Sequence, residues 1–218
     1  MDAAPAIPQK IADFFAAYPL REFDKRQLLL RPDEALPGVF YLVDGRVSQY
    51  DVTPAGNEVV VNVFKPGAFF PMSAALNNVP NAYFYEASLK TAARVAPVAD
   101  AVQFVQDNPD VALDLLKRVY RGVDGVLRRM AHLMGGGAKH RLLFEVLNAA
   151  YRFGEPQANG SLLVALNEGD LARLSGLARE TVNRNMQELK GTGLLTLGRS
   201  GIAIPDVKAL DALLGDTV

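Results

Sequence analysis

The sequence predicts an α+β chain with three parts: an antiparallel β-roll, a long helix, and a helix-turn-helix closed by a β-hairpin. Three observations predict it. Between Arg21 and about Pro97, short β-type runs are broken by Gly, Pro, Asn and Asp at regular intervals, which indicates a small antiparallel roll or barrel. From Pro109 the apolar residues switch to helical spacing and continue to three consecutive glycines, Gly135, Gly136 and Gly137, which cost too much backbone entropy to sit inside a helix. Beyond them, NEGDLARLSGLARETVNRNMQELK (residues 167–190) reads as two short amphipathic helices broken at Gly176, a residue that can supply the positive φ of a sharp turn.

Composition sets the bounds. With 218 residues, 50% of them hydrophobic, the chain can bury two modest cores, and two domains are expected. The net charge of −1 gives no general attraction to nucleic acid, and from Ala138 onward nine Lys and Arg stand against nine Asp and Glu. Any DNA binding must then come from a local patch, from a dimer and from base contacts. The absence of cysteine excludes disulfides, thiolate-held iron–sulfur clusters and redox-sensing thiols. No apolar run approaches the ~18 residues of a membrane span. The lead MDAAPAIPQK has no basic region followed by a hydrophobic one, so a cytoplasmic protein is expected. His132 and His140 lack the cysteines or clustered carboxylates that would complete a metal site, and no nucleophile elbow, phosphate loop or acid–base pair stands out. An enzyme is not expected.

Taken in order, the Pro- and Ala-rich lead passes into KIADFFAAY, where Ile11, Phe14, Phe15 and Tyr18 recur at helical spacing. VDGRV and PAGNE mark tight turns in the roll, flanked by VFYLV and EVVVNVF. Phe69, Phe70, Met72, Tyr83, Phe84 and Tyr85 then crowd one stretch. They read either as roll core, because strands enrich aromatics, or as an apolar ligand pocket with tyrosine hydroxyls as polar handles. Pro109 behind Asn108 suits a helix start. Ala112, Leu116, Val119, Val123, Val126, Met130 and Leu133 follow a heptad seam, which predicts parallel pairing of two copies, the alternative being one helix lying on the roll. KHRLLFEVLNAAYRF restarts a helix; GEPQANG is expected as a surface loop, SLLVAL as a strand, and Asn167 as an N-cap. In the second helix of the motif Val182, Met186 and Leu189 form the inner face, and Arg179, Glu180, Asn183, Arg184 and Lys190 the outer. Those outer groups suit base edges in the major groove, although charged residues on an exposed face also simply solvate it. GLLTLGRSGIAIP predicts a hairpin with Arg199 at its tip, and KALDALL a closing helix. The boundaries expected are 1–107 for the roll, 108–134 for the dimerisation helix, 135–137 for the hinge and 138–218 for the DNA-binding domain.

DLARLSGLARETVNR (residues 170–184) is similar to the recognition motif of the cyclic-AMP receptor and FNR family of bacterial transcription regulators, in which an Arg, a Glu and a second Arg read each half-site. Arg179, Glu180 and Arg184 match those positions. The resemblance implies base reading by these three; Asn183 is expected to join them from the same exposed face, and Asn167, Thr181, Lys190 and Arg199 to contact the DNA backbone, Arg199 alternatively being an idle turn residue. Two positions depart from the pattern: Ala178 stands where Ser or Thr is usual, and Glu168 where a basic phosphate contact is common. YLVDGRV and FKPGAFF resemble the cyclic-nucleotide-binding roll of the same family. However, Pro71 and Met72 replace its Gly-Glu pair, and the stretch around Ala82, Tyr83 and Phe84 replaces its Arg-Ser or Arg-Thr pair. Val126 and Leu127 replace the helix hydroxyls that complete the ligand site. Neither cyclic AMP nor an iron–sulfur cluster is therefore expected. An effector, if there is one, would sit among Phe70, Met72, Tyr83, Tyr85, Val126 and Leu127. The expected partners are double-stranded DNA, a second copy of the chain and RNA polymerase, and no membrane. Two readings stand against this one: an effector-independent regulator whose activity follows its abundance, and a ligand-binding or protein-interaction module whose helix-turn-helix does not touch DNA.

Overall fold

The computed structural model describes residues 6–215; the first five residues of the Pro- and Ala-rich lead and the last three of the chain lie outside them. In chain order the elements are α1 (Ile7–Ala16), β1 (Leu20–Phe23), β2 (Leu28–Leu30), β3 (Val39–Asp44), β4 (Val47–Val52), β5 (Glu58–Phe64), β6 (Phe69–Phe70), α2 (Met72–Asn77), β7 (Phe84–Ala87), β8 (Thr91–Ala96), α3 (Val98–Asp107), α4 (Pro109–Gly135), α5 (Ala138–Phe153), β9 (Glu155–Pro156), β10 (Leu162–Val164), α6 (Glu168–Ser175), α7 (Arg179–Gly191), β11 (Thr196–Gly198), β12 (Gly201–Ile204) and α8 (Val207–Ala212). Among the described residues they group into two compact units, 6–52 with 60–122, and 53–59 with 123–215.

The first unit is the antiparallel roll. Its two four-stranded sheets run β1-β8-β3-β6 and β2-β7-β4-β5. The pleat sends successive side chains of a strand to opposite faces, and β3 shows the result. Phe40 and Leu42 join Phe23, Val47, Phe70, Tyr85 and Val95 between the sheets. Val39 and Tyr41 pack outward against Ile11 and Phe15 of α1 and Ala101 and Val105 of α3. The core between the sheets is aromatic. Phe70 is 1% exposed, and its ring lies within 5.8 Å of Phe40, 4.7 Å of Phe64 and 5.3 Å of Tyr85, at interplanar angles of 7°, 26° and 4°. Burial pushes the Tyr85 hydroxyl well above its usual pKa. Met72 corrects the expected pocket. The chain leaves β6 at Pro71 and enters α2, so Met72 belongs to the outer cluster with Ile11 and Phe15 rather than to the core that holds Phe70 and Tyr85. Tyr83 is exposed.

In the second unit, α5 through α8 and the small sheet β11-β12-β10-β9 enclose a second core. Leu142, Leu143, Val146, Leu147 and Ala150 of α5 meet Leu171 of α6, Val182, Met186 and Leu189 of α7, and Ile202 and Ile204 of β12. Two further differences from the sequence reading appear here. The expected loop at residues 154–160 opens with β9, which pairs Pro156 with Leu162 and Glu155 with Leu163; a proline is tolerated there because the strand is an edge. The compact units divide at Gly122 and Val123 within α4 rather than at the glycines, and Gly135 is itself the last residue of α4. The C-terminal half of α4 belongs with the second unit because its side chains bond α5 and α6: Arg129 reaches Glu145 and the Leu174 carbonyl, and His132 reaches His140.

Candidate nucleic-acid interface

Local chemistry sets the geometry of α6 and α7. Asn167 starts α6 with a capping box: its side-chain oxygen accepts from the Asp170 N–H at 3.0 Å, and Asp170 Oδ2 accepts from the Asn167 N–H at 3.1 Å. Two donors at the helix start are thereby satisfied. At the other end Gly176 adopts φ 65° and its N–H donates to the Ala172 carbonyl at 2.9 Å; this left-handed cap stops α6 and turns the chain into α7. Val182, Met186 and Leu189 are fully buried at spacings of four and three, which fixes the rotation of α7 about its axis. Arg179, Glu180, Asn183, Arg184 and Lys190 consequently lie on the exposed side.

Within that exposed face the side chains differ in what engages them. A methyl group on Gly169 would lie 2.7 Å from Arg179 Nη2, so the Arg179 guanidinium lies over the first turn of α6, where a side chain at 169 would oblige it to swing aside. Asn183 Nδ2 donates to Glu168 Oε1 at 3.0 Å, which ties a residue expected to read bases to the carboxylate of α6. The Asn167 side-chain oxygen is committed to the cap, Thr181 is half-buried with its carbonyl accepting from Asn185 Nδ2 at 2.7 Å, and Arg199 is exposed at the turn between β11 and β12.

The expected seam residues Leu116, Val119, Val123, Val126 and Met130 are exposed in the single chain, Leu133 half so, and Leu127 is exposed beside them. Sequence reasoning missed the roles of Arg129, Arg141 and Glu145. The one available signal was Glu145 itself, a carboxylate on the apolar face of α5 between Leu142 and Val146, and it is buried. Among the described residues no group of three or more His, Cys, Asp or Glu could hold a metal ion, and no helix is long and apolar enough to cross a membrane.

Comparison with known proteins places these parts. Residues 140–213 match the model of the Crp-like helix-turn-helix domain, and residues 20–108 that of the cyclic nucleotide-binding domain. The transcriptional regulator SdrP of Thermus thermophilus is 26% identical over 174 residues, covering 80% of this chain and 82% of that protein. The CRP-like cAMP-activated global transcriptional regulator of Mycobacterium tuberculosis is 26% identical over 185 residues, covering 81% and 80%. Among solved structures, a CRP/FNR-family transcriptional regulator from Thermus thermophilus superposes with a TM-score of 0.74 at 22% identity, over 91% of this chain and 99% of that one. The chain is a transcriptional regulator of the Crp/Fnr family.

Proposed function

We propose that the chain acts as a cytoplasmic homodimer that reads a palindromic DNA site through Arg179, Glu180 and Arg184, works with RNA polymerase, and does so without cyclic AMP or a cofactor. The observation that carries this reading is the rotation of α7: three buried residues hold its apolar side inward and leave those three side chains outward. Arg pairs with guanine and Glu accepts from the cytosine amino group. The exposed stripe on α4 supports the dimer, since a two-stranded pairing would bury it and set the two copies of α7 near the ~34 Å repeat of the major groove. Regulators of this family bind DNA and act as dimers. Against cyclic AMP stands the roll interior, where the rings of Phe40, Phe64, Phe70 and Tyr85 occupy the space between the sheets. Pro71 and Met72 supply no group to pair a phosphate, and a cyclic phosphate buried there would be an uncompensated charge costing several kcal/mol by order of magnitude. The residues present do not fit the nucleotide.

Selection of bound sites from random duplex DNA tests the assignment. Arg179→Ala is expected to relax the preference at one base pair of each half-site, at a cost of ~1–3 kcal/mol per contact; an unchanged motif would overturn it.

A further inference from the structure

Only Gly136 and Gly137 separate α4 from α5, and a second, non-covalent link crosses the same gap. Arg129 of α4 donates through Nε to Glu145 Oε1 of α5 at 2.5 Å and through Nη2 to the carbonyl of Leu174, in the last turn of α6. The Arg129 side chain is 15% exposed and that of Glu145 is 1% exposed. Arg141 of α5 donates through Nη2 to the next carbonyl, that of Ser175, at 2.6 Å. Two guanidinium groups, one from each side of the glycines, therefore cap the end of α6 that turns into the recognition helix. A helix C-terminus carries unpaired carbonyls and partial negative charge, which suits both donors. The gap is closed a second time by His132 and His140, whose Nδ1 and Nε2 lie 2.9 Å apart, with His132 stacked on Phe144 at 4.2 Å. Gly136 has to lack a side chain here, since a methyl group on it would collide with the His140 ring.

We propose that Arg129 is a positioning residue for DNA recognition: it couples the C-terminal half of α4 to the turn of the helix-turn-helix and so sets the distance and phase at which a dimer presents its two recognition helices. Arg129 does not touch DNA. Glu145 holds its guanidinium in one orientation, and the planar fork lets one side chain bond two acceptors on two different helices. Without it, the seam residues Val123, Val126, Met130 and Leu133 would be joined to the helix-turn-helix only through Gly136, Gly137 and the His132–His140 contact, while Arg141 alone would hold the end of α6 to α5. The inference rests on the DNA-binding reading above and deepens it.

The test uses the full chain and a series of palindromic duplexes whose half-sites are kept constant while the spacer is lengthened or shortened by one and two base pairs. Wild type is expected to prefer one spacer by about tenfold or more, the scale of a charge-assisted hydrogen bond. Two variants are compared. Arg129→Met combined with Glu145→Leu removes the buried pair together, an exchange that commonly leaves stability intact. Arg129→Lys keeps the charge beside Glu145 but cannot span both acceptors. Both are expected to retain a cooperative melt and the half-site sequence preference, and to bind all spacers within a few-fold of one another. A variant that folds and keeps the wild-type spacer preference would overturn the proposal, whatever its overall affinity, because a residue that only stabilised the fold would weaken every spacer alike. Failure of the wild-type chain itself to select any DNA site is a different result, and it would remove the DNA-binding reading.

Discussion

Replacing Phe70 with alanine tests whether the interior of the roll is closed. Phe70 is 1% exposed, and full truncation of a buried Phe costs ~3–5 kcal/mol through lost transfer energy and the cavity left behind. Three aromatic neighbours pack on the ring, and each such pair adds ~0.5–1.5 kcal/mol beyond buried area, so the expected loss lies at the upper end, about 4–5 kcal/mol. With a urea dependence of ~2 kcal/mol per molar, that is a shift in midpoint of about 2 M. Far-ultraviolet circular dichroism reads the transition, and a constant slope shows that stability rather than compactness has changed. The cavity would be apolar and dry, so benzene is expected to restore part of the loss, as small apolar molecules do in cavities of this kind. A loss below about 1 kcal/mol would mean that the interior already has room. Cyclic AMP raising the wild-type midpoint would refute the argument directly, since a ligand stabilises only the state that binds it.

Other outcomes follow from single residues. Asn167→Ala removes the capping box of α6 and is expected to cost ~1 kcal/mol of stability; an unchanged urea midpoint would show that the cap contributes nothing. Val126→Glu places a charge on an exposed seam position, so it should leave the melting of the protomer nearly unchanged while shifting sedimentation from dimer to monomer and abolishing binding to the palindrome. Burial pushes the Glu145 carboxyl above the usual carboxylate range, with Arg129 pulling the other way. The folded chain then holds that proton more tightly than the unfolded one. The resulting stabilisation is complete below the ordinary glutamate value of ~4.3 and is lost as pH rises through the folded value. Stability measured against the variant carrying Arg129→Met and Glu145→Leu should therefore move in favour of the variant from about pH 4 upward, and a difference that stays level with pH would contradict the assignment.

Regular periodicity was legible in the chain and brief or tertiary features were not. The run VFYLV beside the VDGRV turn predicted a strand, and β3 is there at Val39–Asp44; that Val39 and Phe40 face opposite clusters was not read from it. Gly176 predicted the turn, and Val182, Met186 and Leu189 predicted the inner side of α7. By contrast, α2 is a six-residue helix between Pro71 and Asn78, too short for a period to register. The two residues of β9 are defined only by their pairing with β10. The aromatic stretch was ambiguous because strand core and ligand pocket share a composition; the placement of Met72 outside the inter-sheet core depends on where the chain turns, and no local pattern encodes it. Arg129 looked like any surface arginine flanking a heptad stripe, since its acceptors lie 16 and 45 residues away.

The apolar stripe along α4 also has a quantitative consequence for regulation. At protomer levels below the dissociation constant of the pair, the amount of dimer grows with the square of the protomer level. A twofold rise in synthesis would then give about a fourfold rise in the DNA-competent species. If the roll takes no effector, the rate at which a cell makes and degrades this polypeptide would then be the variable that sets how much DNA-competent dimer is present.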